Sequence, residues 1–145
     1  MLVRERMTRR PLIVGPEASV RKAQLLMCEG HVRQLPVVDH DRLVGIITMG
    51  DIYRRAPLGA VVLEAREAEQ LLDHVQVGGV MTLQPEFVEP DAPLLEAARR
   101  ILSRRIGALP VVEEGQLVGI LTGSDVLQAL ISALGGNGDE RRAKG

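Results

Sequence analysis

Aromatic residues are nearly missing from this chain of 145 residues: there is no tryptophan, one tyrosine (Tyr53) and one phenylalanine (Phe87). The core must therefore be built from Val, Leu, Ile, Ala and Met, and the rows of stacking platforms used by single-stranded nucleic-acid binders are excluded. Cysteine occurs once, at Cys28, so no internal disulfide can form and a reducing compartment is the expected setting. No apolar run approaches the roughly 18–20 residues needed to cross a bilayer. The opening MLVRERMTRR is too charged for the apolar segment of a signal peptide, so a cytoplasmic location is expected by elimination. A large charge excess is also absent. A net charge of −1 gives no global field to gather DNA or an anionic lipid surface, and neither DNA nor a membrane is an expected partner.

What is present is ordinary for a soluble globular protein: 46% hydrophobic and 26% charged residues, with a mean hydropathy of +0.08. The length suits one compact domain with a real core. Charge is uneven. Residues 1–55 hold ten Lys/Arg against six Asp/Glu, or +4, and residues 56–145 hold eight against thirteen, or −5.

The strongest signal is internal repetition. Shifting the chain by 74 residues lays Val3–Arg55 on Val77–Ala129 without a gap, and 18 of the 53 aligned positions are identical. The identities cluster as MTxxP (Met7, Thr8, Pro11 and Met81, Thr82, Pro85), LPVV (Leu35–Val38 and Leu109–Val112) and LVGIxTxxD (Leu43–Asp51 and Leu117–Asp125). The chain is a duplication.

Each copy carries the same pattern of elements. Ile13-Val14 and Phe87-Val88 are short apolar pairs that predict a strand. PEAS (Pro16–Ser19) and PDAP (Pro90–Pro93) announce a helix, with Asp91, Pro93 and Glu96 supplying helix-start chemistry in the second copy. Helical spacing predicts buried faces of Val20, Ala23, Met27 and Cys28 in one copy and Leu94, Ala97, Ile101 and Leu102 in the other. Two apolar runs around DHDR or EEGQ then predict a β-hairpin, followed by a second helix from near Asp51 to about Ala56, or from near Asp125 to about Leu134. The order β-α-β-β-α places the chain in the α/β (α+β) class, with a three-stranded sheet per repeat. One such unit of about 50 residues buries too little surface to stand alone. Two packed sheet to sheet with a pseudo-twofold solve that problem and leave two related clefts. The expected boundaries are 1–56 for the first repeat, 57–76 for a linker with a bridging helix (Gly59–Val75, with Val62, Ala65, Ala68 or Glu69, and Leu72 on one face), 77–134 for the second repeat, and 135–145 for a disordered tail.

The MTxxP opening, the LPVVD strand and the LVGI-x-T-x-x-D ending, twice in tandem, resemble the cystathionine-β-synthase (CBS) domain pair, or Bateman module, over about 105 of the 145 residues. The resemblance implies the repeat order derived above, a disc-shaped homodimer assembled head to head or head to tail, and AMP, ADP, ATP or S-adenosylmethionine bound in the clefts. The motif has the right chemistry. A Thr hydroxyl at the start of a helix can donate to a phosphate, whose charge suits that end of the helix, and an Asp carboxylate can accept from a ribose diol. Thr-x-x-Asp is equally a capping box that satisfies the first helical N–H groups, and one motif can do both jobs. Gly45 and Gly119 permit close approach of backbone or ligand.

For the cleft at Asp51 the resemblance implies Thr48, Asp51 and Arg33 or Gln34, with Pro85, Glu86 and Ile106 from the other repeat. For the cleft at Asp125 it implies Thr122, Asp125 and Gly107 or Ala108, with Pro11, Leu12 and Val32 across the interface. Apolar and backbone groups would sandwich adenine. The resemblance implies a phosphate-holding basic residue at Arg33, which aligns with Gly107, so the two clefts are expected to be unequal, with the Asp51 cleft preferring more phosphates; Glu86, pointing toward the first cleft, counts against phosphate there.

Other constellations carry no chemistry. His31, His40 and His74 are scattered without metal-ligand spacing, Cys28 aligns with Leu102 as a core thiol, and GILTGSD is not a nucleophile elbow. The pairs Arg9-Arg10, Arg54-Arg55, Arg99-Arg100 and Arg104-Arg105 could touch a ligand phosphate but read first as solvated faces. The expected function is a stand-alone sensor that is not an enzyme, needs no cofactor and is read by a protein effector. The alternatives are a ligand-free dimerisation or interaction module and a separately encoded regulatory subunit of an enzyme or transporter.

Overall fold

The structure, a computed structural model, describes residues 1–55 and 65–135. In chain order the elements are β1 (Thr8–Arg9), α1 (Val20–Gly30), β2 (Gln34–Asp39), β3 (Arg42–Thr48), α2 (Met49–Arg55), α3 (Ala65–Leu72), β4 (Thr82–Leu83), α4 (Leu94–Arg104), β5 (Ala108–Glu113), β6 (Gln116–Thr122) and α5 (Gly123–Ala133).

Both hairpins form as the sequence predicts. β2 pairs with β3 and β5 with β6, antiparallel, each with a register shift, at Val37/Val38 and Val111/Val112. The turns are two residues long and left-handed throughout: His40 and Asp41 have φ 49° and 66°, and Glu114 and Gly115 have 53° and 81°. Positive φ at both positions matches the twist of the flanking strands. The strands expected at Ile13-Val14 and Phe87-Val88 shrink to single parallel bridges, Val14 to Val37 and Val88 to Val111.

α1 starts where Ser19 Oγ accepts from the Lys22 N–H at 3.0 Å. Pro93 is the N-cap of α4 and has no side-chain oxygen to offer. The helices bury Val20, Ala23 and Met27, and Leu94 and Ala97. Cys28 is exposed rather than a core thiol, and Leu102 is 80% exposed. The physical reason is angular: at about 100° per residue, Cys28 and Leu102 fall about a quarter-turn away from the stripe set by the first, fourth and eighth helical positions. The core is aliphatic, as the aromatic deficit requires, and both aromatics lie outside it, Tyr53 at 73% and Phe87 at 48% exposure.

The two sequence repeats are not the two structural lobes. β1 pairs with β6, in the second repeat's sheet, and β4 pairs with β3, in the first repeat's sheet. Val3, with Met7 beside it, belongs to the core around Leu109, Val111 and Leu121, whereas Val77, Val80 and Met81 belong to the core around Leu35, Val37 and Ile47. The backbone follows: Val3 N–H donates to Ala92 O at 2.9 Å and Val77 N–H to Ala18 O at 2.8 Å. Each repeat thus lends its opening arm to the other. The two sheets are joined by this exchange of arms and by an edge contact between β3 and β6 at Arg42 and Gln116.

Of the expected bridging helix, Ala65–Leu72 is helical. Leu72 is buried in the first core while Ala65 and Glu69 are exposed, and Arg21 of α1 pairs with Glu69 at 3.0 Å. Val62 and the expected disordered tail from residue 136 lie outside the described residues.

Candidate functional site

The hairpins end at a fixed place. The last residue of β3 is Thr48, and the last of β6 is Thr122, each followed at once by a helix. Both Thr-x-x-Asp motifs form a capping box. Asp51 N–H donates to Thr48 Oγ1 at 3.0 Å and Thr48 N–H to Asp51 Oδ2 at 3.1 Å. The matching distances in the second copy are 3.2 and 2.9 Å. The start of each helix is also tied to the strand beside it, with Met49 N–H donating to Arg33 O and Gly123 N–H to Gly107 O.

The two aspartates then diverge. Asp51 is 1% exposed and Asp125 is 7% exposed. Thr82, delivered by the exchanged arm β4, donates its hydroxyl to Asp51 Oδ1 and Oδ2, both at 3.3 Å. Arg54 Nη2 reaches Asp51 Oδ1 at 3.4 Å.

Beside Asp51 lies a cleft of about 650 Å³ between the two repeats, within the range of small-ligand sites. It brings together all seven residues expected there: Arg33, Gln34, Thr48, Asp51, Pro85, Glu86 and Ile106. Gly107 and Ala108, which the resemblance assigns to the other cleft, line this one as well. Two further residues with useful chemistry, Tyr53 and Thr82, escaped the sequence reading. The sequence leaves Arg54 and Arg105 between a solvated face and contact with a ligand phosphate, and both line the cleft.

Of the set expected at Asp125, Thr122 pairs with Ala108 across β5 and β6, and Gly107 is bonded to Gly123. Leu12 and Val32 meet instead around Gly30. None of Thr122, Asp125, Pro11, Leu12 and Val32 lines the 650 Å³ cleft.

Electrostatics in the cleft favour an anion. Arg33, Arg54 and Arg105 line it alongside two acids, Asp51 and Glu86. Glu86 is answered by its own repeat, 3.6 Å from Arg100 and 3.5 Å from Arg104, so its charge is largely compensated before a ligand arrives. A buried carboxylate beside exposed guanidiniums can accept from hydroxyls at one end of a ligand while the arginines meet negative oxygens at the other.

The CBS domain family model matches residues 3–57 and 77–132. A CBS domain-containing protein of Dictyostelium discoideum is 33% identical over 138 residues, covering 92% of this chain and 94% of that protein. The crystal structure of CBSX2, a CBS-pair protein from Arabidopsis thaliana, in complex with AMP has a TM-score of 0.76 at 32% identity, covering 92% of this chain and 98% of that one. The inosine-5'-monophosphate dehydrogenase of Korarchaeum cryptofilum is 37% identical over 117 residues, but the match takes in 21% of that enzyme against 79% of this chain. Two family matches, a duplicated sequence and a cleft shared between the copies agree: this chain belongs to the CBS domain family and is a CBS pair.

Proposed function

We propose that the chain is a regulatory module that binds an adenine nucleotide in the cleft at Asp51 and performs no catalysis of its own. The carrying observation is the convergence, in one 650 Å³ cleft, of the buried Asp51 from one repeat with Pro85 and Ile106–Ala108 from the other and three arginines. The bound AMP of CBSX2 supports the same ligand class. Asp51 would accept from the ribose diol, the apolar groups Ile46, Ile106 and Pro110 would flank adenine, and the arginines would meet phosphate. Three cations favour AMP, ADP or ATP over S-adenosylmethionine, whose sulfonium is itself positive. At the positions matching Tyr53 and Arg54 the second repeat has Leu127 and Gln128, so one phosphate-preferring site per chain is expected and the Asp125 side is the weaker. No cofactor is required. A ligand that touches both lobes would change how they pack, and a protein effector would read that change.

Calorimetry and melting curves test this. At a free ligand concentration of about 100 Kd, one site adds roughly 2.7 kcal/mol of stability, a rise of several degrees in Tm. Asp51→Asn is expected to weaken binding about tenfold or more, by loss of a charge-assisted acceptor. If AMP, ADP, ATP and S-adenosylmethionine at millimolar concentration all leave the melting curve unmoved, the nucleotide reading is wrong.

A specific observation also favours the interaction-module reading. Leu127, Leu130 and Ile131 of α5 and Leu134 at its C-cap are 60%, 52%, 44% and 79% exposed and share one helical face by spacing. We read this face as the contact of a homodimer, compatible with nucleotide binding because none of these four residues lines the Asp51 cleft.

A further inference from the structure

Arg54 holds a position in the Asp51 cleft that its counterpart cannot. It sits three residues after Asp51 on α2 and folds back so that Nη2 reaches Asp51 Oδ1 at 3.4 Å. The path it takes lies over Gly50: a Cβ at that position would be 2.8 Å from Arg54 Nη1 and 3.3 Å from Nη2. The glycine is therefore what leaves room for the guanidinium to rest there. In the second repeat the matching residues are Ser124 and Gln128, which supply neither the room nor the charge. The two carboxylate oxygens of Asp51 also differ. Oδ2 is held by the Thr48 N–H at 3.1 Å, whereas Oδ1 has two long partners, Thr82 at 3.3 Å and Arg54 at 3.4 Å. Oδ1 is thus the oxygen an incoming hydroxyl can take, and Arg54 is what such a hydroxyl displaces.

We propose that Arg54 is a latch that makes the Asp51 cleft select phosphorylated adenosine ligands over adenosine itself. In the empty cleft it occupies the sugar acceptor. A ribose hydroxyl that takes Oδ1 releases the guanidinium, whose side chain is 69% exposed and free to swing to a phosphate of the same ligand. A nucleoside breaks the Arg54–Asp51 contact and offers the freed guanidinium no partner, whereas a nucleotide replaces that contact with a charge-assisted phosphate contact. The same residue thus penalises the unphosphorylated ligand and rewards the phosphorylated one. This rests on the nucleotide reading above.

The test is calorimetric titration of the full chain with adenosine and with AMP, in wild type, Arg54→Gln and Gly50→Ala. Wild type is expected to prefer AMP. Arg54→Gln should weaken AMP by about tenfold and leave adenosine unchanged or tighter, so that the AMP-to-adenosine ratio collapses. Gly50→Ala keeps the charge and evicts the guanidinium from its resting place, so adenosine should tighten while AMP does not weaken. An Arg54→Gln variant in which both ligands weaken by the same factor, or a wild type that binds the two equally, overturns the latch and leaves the nucleotide site standing. A wild type that binds neither ligand overturns the nucleotide reading and the latch with it.

Discussion

Gly45 and Gly119 show how much one missing side chain decides. A Cβ at Gly45 would stand 2.6 Å from Met81 Sδ and 2.9 Å from Thr82 O, and one at Gly119 would stand 2.8 Å from Met7 Sδ and 2.9 Å from Thr8 O. What comes close at each glycine is the exchanged arm, through a methionine sulfur and a backbone oxygen. Gly45→Ala should lower stability by about 1–3 kcal/mol through overpacking against a main-chain oxygen. Gly123→Ala, where nothing lies within 4 Å, should be nearly neutral, and chemical denaturation of the pair distinguishes a packing cost from a general glycine effect. At this scale the motif residues were readable: Thr48, Asp51, Arg33, Gln34, Pro85, Glu86 and Ile106 all line one cleft. Tyr53 and Arg54 carried a signal too, because they follow Asp51 on the same short helix. For Arg54, its place in the Arg54-Arg55 pair hid it. Thr82 had none, since its place beside Asp51 depends on which sheet a two-residue strand joins.

Among the elements, the hairpins were legible because their turns and alternation are local, and the helices were legible within a residue or two of their ends. The destination of the arms was not. β1 and β4 are two residues each, too short for any pattern to specify a partner, and only the burial of Val3 and Val77, both fully buried, reveals where they go. The exchange has a measurable result. A fragment of residues 1–55 lacks Val77, Val80 and Met81 for its core, and a fragment of residues 65–145 lacks Val3. Each buried aliphatic side chain of this kind is worth roughly 1.5–3 kcal/mol, against a total stability of only about 5–15 kcal/mol. Neither fragment should show a cooperative melt alone, and an equimolar mixture should recover one by circular dichroism. Cooperative melting of either fragment by itself would show that the arms are ornamental.

The whole molecule has two lobes related by duplication but unlike in finish. The first carries the arginine-lined cleft and the bridging helix α3 packed on α1 through Arg21. The second carries an open apolar groove between α4 and α5, lined by Leu94, Leu95, Ala98, Val126 and Leu130, beside the exposed leucines of α5. A contact through this surface needs about 1,200–2,000 Å² in total to be stable. Light scattering is expected to report a dimer for the wild type and a monomer for Leu130→Asp with Leu134→Asp, with the nucleotide affinity at Asp51 retained. A wild-type monomer at high micromolar concentration would remove this surface from consideration as a self-contact. No described helix is long and apolar enough to cross a membrane. The crossed arms, finally, set an order of events during synthesis. Val3 leaves the ribosome well ahead of its seat among Val88, Leu109, Val111 and Leu121, which is not complete until more than a hundred residues later. At about 5–20 residues per second the arm around Val3 waits several seconds or more for a place to dock, so it folds together with segments made long after it.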